Sequence, residues 1–408
     1  MENKHYYKQK IAITWPLTPY TGWGRYGIQL AKALISESIA RPIVPYNIAK
    51  TQACELEWQL WSEQIEKDSR PLINAVKGNT SKSSLSTNCQ IIFDGLGNSA
   101  KPHEFHGKYR VGVTFFERSL IPEQLKLFMQ NEFDLIITGS NWNQKVLESH
   151  GINNSFLVHQ GVDLSIFNPI PVRQLLIRPF IIFAGGKLES RKGQDIVIEA
   201  FRRFIKLCPN ALLIGCWVNI GNIGINTLNT TPYILTNPRS GKAEDIQPWL
   251  ISEGIPEQNI LIPSIINNAQ LPSLIKQADT AVFASRCEGG TNLMAMEALA
   301  CGIPTLLSEN TGHLDLLNGD IPHAIGIKRS SRKTDTEKIS EAYGGDDQGV
   351  WGETDPDSLV EEWIKQFKNK SYWKEERAQN AATMNKWSWE QSMDKLINKL
   401  HANKLILS

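Results

Sequence analysis

The sequence predicts an α/β protein built from two parallel sheets, each covered by helices and each confined to its own half of the chain. Three observations carry this. Short apolar, strand-like runs alternate with amphipathic helical stretches, the pattern of parallel sheets with crossover helices. That alternation lapses at a proline-punctuated stretch (Pro169, Pro171, Pro179) and restarts at Phe180. Finally, Ala284–Leu307 reads as a complete β-loop-α-β unit: AVFAS alternates like a strand, NLMAMEALA has helical apolar spacing, Gly302 sits where a helix ends, and IPTLL resumes as a strand.

In the first half the strands are expected in IAITWP, PIVPY, QIIFDGL, RVGVTFF, DLIITGS and SFLVHQGV, with helices at Tyr26–Ile35 and Asn143–His150. Gly78–Asn88, polar and rich in turn residues, is expected to be a mobile surface loop. The second half offers IIFAGG, ALLIGCW, NILIPSI, AVFAS and PTLLS. Arg329–Gly349 suits a loop over a cleft or a disordered segment equally well. Asp355-Pro356-Asp357 spells D-x-D, a pattern able to hold a metal, but Asp followed by Pro ahead of SLVEEW is a helix cap with Pro at the first position. The tail NKWSWEQSMDKLINKL has helical spacing. The expected domains are 1–170, joined by a C-terminal helix over 386–408, and 171–385.

Composition excludes more than it asserts. At 408 residues the chain can hold two cores, and a net charge of +1 without a long basic block gives no case for nucleic acid. Six cysteines (Cys54, Cys89, Cys208, Cys216, Cys287, Cys301) lack any C-x-x-C pair or His clustering, so thiols of a reducing compartment are expected and no metal site. MENKHYYKQK leads directly into a strand, no apolar run approaches the ~18 residues of a membrane span, and a cytoplasmic protein with at most peripheral contact at the inner face of a membrane is expected. The 12 tryptophans are expected in core and interdomain packing.

Chemistry concentrates in CEGGTN and the helix after it. In open parallel sheets ligands bind beyond the carboxyl ends of strands, and a helix N-terminus there suits an anion. Glu288 enters this turn, with Gly289, Gly290, Thr291 and Asn292 behind it. Glu297 follows on a largely apolar helix with no Lys or Arg within four positions, so its charge must face water or meet a partner from outside the helix. A second cluster lies in FAGGKLESRKGQDIVIEAFRRF: a strand ends at Gly185-Gly186, Lys187, Arg191 and Lys192 follow, and Gly193 precedes a helix whose Ile196, Val197, Ala200, Phe201 and Phe204 make one apolar face. Flexible glycines, several cations and a helix N-terminus together can clamp a diphosphate.

These motifs resemble the GT-B glycosyltransferases of family 4. The acidic residue, small-residue turn, helix with a second Glu and ACGIP are similar to that family's E-x7-E signature, and GKLESRKG is similar to its G-R-L-x-x-x-K-G segment. DLIITGSNWNQKVLESHG and VHQGVDLSIFNP are similar to pieces late in its first domain and at the linker, so the likeness runs from Ile11 to about Leu317. The resemblance implies two Rossmann-like domains facing across a cleft, with the C-terminal helix crossing back to the first. It implies a retaining, metal-independent hexosyltransferase taking sugar from a nucleotide-sugar, which is a substrate and not a cofactor, to a saccharide, lipid-linked or small-molecule acceptor, as in polysaccharide biosynthesis.

By that resemblance Glu297 would accept hydrogen bonds from ribose hydroxyls, Glu288 would hold the transferred sugar, and Lys187 and Lys192 would neutralise the departing diphosphate. Gly186, Arg191 and the 289–292 turn would join the donor site. Two departures stand out: eight residues, not seven, separate Glu288 from Glu297, and Lys187 stands where the family has Arg, keeping the charge without the planar fork.

Gly22, Gly24 and Gly27 in TGWGRYG also satisfy G-x-G-x-x-G, the dinucleotide fingerprint. The loop WPLTPYT before the first glycine is long, however, and the next strand, PIVPYNIA, carries no Asp or Glu for a ribose. The glycine-rich loop of the resembled family's first domain matches better, with Gly22 and Gly24 on the donor side. Acceptor-side candidates are Glu117, after an apolar strand, and His106 or His103 in KPHEFHG, for which a plain surface position is the alternative. His313 in TGHLDLL is expected to be structural. Three other readings stay open: a nicotinamide-dependent oxidoreductase using TGWGRYG, a catalytically silent GT-B subunit that binds a partner enzyme, and a sugar-nucleotide epimerase.

Overall fold

The computed structural model describes residues 9–49, 56–79, 83–97, 104–219, 224–330 and 351–407. The first half contributes β1 (Lys10–Ile13), α1 (Gly22–Ser36), β2 (Arg41–Ile43), α2 (Leu56–Gly78), β3 (Leu85–Ser86), β4 (Ile91–Leu96), β5 (Phe105–His106), β6 (Tyr109–Thr114), α3 (Glu123–Glu132), β7 (Leu135–Thr138), α4 (Asn141–Ser149) and β8 (Ser155–Leu157). Six of these strands form one sheet in the order β2-β1-β4-β6-β7-β8, every pairing parallel.

The second half repeats the plan with β9 (Ile181–Gly185), α5 (Gln194–Phe204), β10 (Leu212–Cys216), α6 (Ala243–Ser252), β11 (Ile260–Leu261), α7 (Leu271–Ile275), β12 (Thr280–Phe283), α8 (Leu293–Ala300), β13 (Thr305–Ser308), α9 (His313–Leu317) and β14 (Ala324–Ile327). Its sheet runs β11-β10-β9-β12-β13-β14, again wholly parallel. In both sheets the order reverses beside the first strand of the set, which opens a crevice at the strands' carboxyl ends. The strands are apolar on both faces because helices cover both sides.

Helices α10 (Pro356–Lys368), α11 (Lys370–Glu375), α12 (Arg377–Ala382) and α13 (Trp389–Ala402) complete the chain. The last returns to the first half: α13 packs along α1, Ser388 bridges to Val162, and the backbone N–H of Leu407 donates to Gln9 Oε1 at 3.0 Å. One apolar cluster therefore runs unbroken from Ile11 and Leu30 through Phe183 and Met296 to Leu396. Along α5, Ile196, Val197, Ala200, Phe201 and Phe204 are all buried, each large member adding about 1.5–3 kcal/mol of burial energy.

Helix starts follow their caps. Helix α1 begins at Gly22, four residues before the expected Tyr26, because Thr21 Oγ1 accepts from the N–H of Gly24 at 3.0 Å. Likewise α4 begins at Asn141 on the Ser140 cap. Asp355 caps α10 through the N–H of Asp357, the helix-start reading of D-x-D. The expected loop at Gly78–Asn88 needs correction. Leu85–Ser86 forms a strand parallel to Phe105–His106, because Leu85 N–H and Thr87 N–H donate to the carbonyls of Glu104 and His106 at 2.8 Å. The segment expected between Arg329 and Gly349 lies outside the described residues from 331 onward.

Candidate functional site

The β12-to-α8 loop and the β9-to-α5 turn meet at the carboxyl ends of adjacent strands, and a buried cation fixes them together. Arg286, fully buried, donates through Nη1 and Nη2 to Asp195 at 2.7 Å each and through Nε and Nη2 to Glu353 at 2.8 and 2.9 Å. Its Nη1 also reaches Ser190 O at 2.5 Å. Burial works against the charge, but the two carboxylates outweigh it and hold the guanidinium firmly protonated. Gly193 lets the turn close: at φ 70° it caps α5, and a Cβ there would lie 2.0 Å from Ala284 O.

That frame presents Lys187, Arg191 and Lys192. Lys192 Nζ lies 2.7 and 2.8 Å from the two oxygens of Glu288, whose Oε1 also accepts from Ser285 Oγ at 2.6 Å and Asn292 Nδ2 at 2.9 Å. Burial pushes the Glu288 carboxyl up, yet Lys192 and Arg191 overcome it and leave the group at about 2. Glu288 is thus a permanent anion at neutral pH. With Oε1 fully engaged it orients Lys192 and cannot serve as a proton donor. Arg191 reaches Glu189 Oε1 at 2.6 Å, Cys287 O at 2.8 Å and Glu117 Oε1 at 3.4 Å, and Lys187 pairs with Glu189 at 2.8 Å. Beside these cations His313 is buried and neutral, lowered to about 4 by desolvation, with Nδ1 2.9 Å from Ser308 Oγ.

The Gly289-Gly290-Thr291-Asn292 turn presses against the first half of the chain. A Cβ on Gly289 would come 2.2 Å from Phe115 O, which only glycine avoids. Ser140 Oγ donates to Gly289 O at 2.7 Å, and Gly290 faces Gln160. Asn292, at φ 67°, caps α8 through Ala295 N–H. Around this seam Asn141 N–H donates to Asp315 Oδ2 at 2.8 Å and His159 Nε2 lies 2.7 Å from the same atom.

One turn into α8, Glu297 is buried and meets a partner from outside the helix, one of the two outcomes its sequence context allows. That partner is Arg25 of α1, which binds Glu297 Oε1 and also donates to Asn268 Oδ1 at 2.9 Å. Glu297 Oε2 is buried with no hydrogen-bond partner among the described residues. Desolvation raises this carboxyl to about 7, with Arg25 opposing. The pair borders a cleft of about 220 Å³ between α1 and the loop before α7, walled by Gln29, Lys32, Trp58 and Asn268.

The remaining candidates divide. Gly22 is exposed beside Leu293 at the start of α8, whereas Gly24 is buried with Thr18 backbone filling the space of its missing side chain. The glycines of TGWGRYG thus let their own loop fold back on α1. Glu117 lies in the seam, bound to Arg191 and accepting at its carbonyl from Trp351 Nε1 at 2.9 Å. Gly186, at φ 112°, follows β9 and precedes Lys187. His106 sits exposed on the β3–β5 ribbon, its carbonyl taken by Thr87, with no described bond to the site; His103 lies outside the described residues. The sequence reading did not single out Arg25, His159 with Asp315, or Arg286 with Asp195 and Glu353. The charge of Glu297, unmatched within its helix, was the one signal pointing to a missing partner.

Two parallel six-stranded sheets facing across a charged cleft, with the last helix returning to the first sheet, make the GT-B fold. Residues 173–342 match the family model of glycosyl transferases group 1, so the second half of this chain carries a glycosyl transferases group 1 domain. Among solved structures, sucrose-phosphate synthase from Thermosynechococcus elongatus superposes with a TM-score of 0.60 at 16% identity, over 97% of this chain and 100% of that one. Anabaena HepE in complex with UDP and glucose gives 0.63 at 12% identity, over 97% and 100%. A glycosyltransferase from Rickettsia africae gives 0.60 at 14%, over 98% and 99%. No protein with a curated description matches the sequence.

Proposed function

We propose that this protein moves a hexosyl group from a nucleotide-sugar to a saccharide acceptor, free or lipid-linked, by a retaining and metal-independent reaction of the family 4 type. The observation that carries this reading is the turn Lys187–Lys192, which gathers three cations and their carboxylate partners at the N-terminal end of α8 while Glu297 waits one turn along the same helix. In the reaction, charge builds on the diphosphate as the glycosidic bond lengthens. Lys192, Lys187, Arg191 and the free N–H groups of α8 would receive it with little rearrangement.

Because Glu288 is bound to Lys192, it supports the leaving-group site and does not act as a nucleophile; attack would then occur on the sugar face from which the diphosphate leaves. The UDP and glucose held by HepE support a uridine donor as the first to try. The donor would lie mainly on the second half, and the acceptor would approach from the Glu117 side.

Transfer assays with UDP-, GDP-, ADP- and dTDP-sugars and simple saccharide acceptors test this. Product retaining the donor's anomeric configuration, formed in the presence of a chelator, is expected. Donor converted without acceptor would mean epimerisation, and binding without turnover would mean a silent subunit. An oxidoreductase would bind NADH; no such binding is expected, since TGWGRYG uses Gly24 and Gly27 to seat Thr18, Leu17 and Trp15.

A further inference from the structure

Resting on the donor reading above, we propose that Arg25 is a donor-positioning residue supplied from the opposite domain. By holding Oε1 of Glu297 it leaves Oε2 to accept a ribose hydroxyl, and with Gln29 and Lys32 it makes the nucleoside compartment a two-domain site. Three features of the molecule carry this. Glu297 Oε2 is a buried carboxylate oxygen without a donor, a costly arrangement that a neutral hydroxyl would relieve. The carboxylate also opens onto the cleft, whose volume of about 220 Å³ is below the ~300–1,000 Å³ of whole-ligand pockets and suits one moiety of a donor.

The third feature is the periodicity of α1. Arg25, Gln29 and Lys32 stand at i, i+4 and i+7, one stripe lining the cleft, with Trp58 beside them and Asn268 also on its wall. The cleft mixes apolar Ile28 and Ile166 with the polar ends of Arg25, Gln29, Lys32 and Asn268, a lining that suits a ribonucleoside. Arg25 joins it to two separate segments of the second half, Asn268 and α8. Donor recognition and the closed arrangement of the domains therefore meet in one guanidinium. Burial raises the Glu297 carboxyl and Arg25 opposes it, so removing Arg25 would also discharge the acceptor at neutral pH.

The experiment is titration calorimetry on the full chain with UDP, GDP and ADP, with the 2′-deoxy and 3′-deoxy forms of whichever binds, and with pyrophosphate. It compares wild type, Arg25→Gln, Arg25→Lys and Asn268→Ala. Expected are a tenfold or greater loss of nucleoside diphosphate affinity in Arg25→Gln, partial rescue in Arg25→Lys, a smaller loss in Asn268→Ala, and wild-type affinity for pyrophosphate throughout. The preference for the ribose hydroxyl should shrink toward unity in Arg25→Gln, an effect a merely structural role would not produce.

Unchanged affinity and unchanged hydroxyl preference in Arg25→Gln would overturn the proposal, as would a parallel loss of pyrophosphate binding. If Arg25→Gln does not fold, Asn268→Ala and Arg25→Lys decide: wild-type affinity in both overturns it. If no nucleoside diphosphate binds wild type at all, the donor reading itself fails; if wild type binds and transfers sugar but ignores Arg25, this inference alone fails.

Discussion

Lys192 Nζ lies within 2.8 Å of both carboxylate oxygens of Glu288, 96 residues further along the chain, so the two residue clusters that stand out in the sequence are one site in the fold. Replacing Lys192 by Ala removes the cation nearest the expected leaving group. Losing one preplaced charge of this kind costs about 10²–10³ in kcat. Initial rates at saturating donor check it; a fall confined to KM would mean that Lys192 only binds.

The same pair gives the protein an acid limit. The folded carboxyl of Glu288, at about 2, lies below its ordinary 4.5, so its contribution to stability is complete above about pH 4.5 and is lost as pH falls toward 2. The difference is on the order of 3 kcal/mol. Urea unfolding between pH 3 and 6 should show a steeper acid loss in wild type than in Glu288→Gln.

Glu297 has the opposite sign. Burial raises it to about 7, above its unfolded value, so the folded state favours the proton and this group's contribution declines as pH rises from about 4.5 through 7. Donor affinity should move the other way, strengthening as the carboxyl ionises through neutrality. Nucleotide binding measured from pH 5.5 to 8.5 should rise with pH in wild type and be flat in Glu297→Gln.

Arg286 is the structural keystone of the site. Arg286→Ala would strand the buried carboxylates of Asp195 and Glu353, a loss of about 3–5 kcal/mol and roughly 10 °C in Tm. Thermal unfolding measures this directly; a change under 1 kcal/mol would mean that the two acids find other partners.

Much of the architecture is legible in the sequence because strand alternation and helix caps are local signals. The Asp355 cap and Gly302, at φ 72° after α8, are of this kind, whereas the Thr21 and Ser140 caps start α1 and α4 ahead of the expected Tyr26 and Asn143. Helix α2 is not legible, since Pro71 inside it reads as a break. The ribbon of β3 and β5 hides in a polar stretch whose pairing depends on a distant carbonyl. The clusters around Glu288 and Lys192 stand out as residue types, whereas Arg25 lies 272 residues from Glu297 and carries no local mark of its partner. Arg286 is hidden for the same reason: its two acids lie 91 and 67 positions away.

The central claim, a nucleotide-sugar site on α8 and the Lys187–Lys192 turn, is tested most directly by thermal-shift titration with UDP-, GDP-, ADP- and dTDP-sugars and NADH on wild type, Glu297→Gln and Lys192→Ala. Ligand at about 100 times its Kd adds ~2.7 kcal/mol. Stabilisation by one sugar nucleotide, weakened in both variants, is the predicted result; stabilisation by NADH alone, or by no sugar nucleotide, would contradict it.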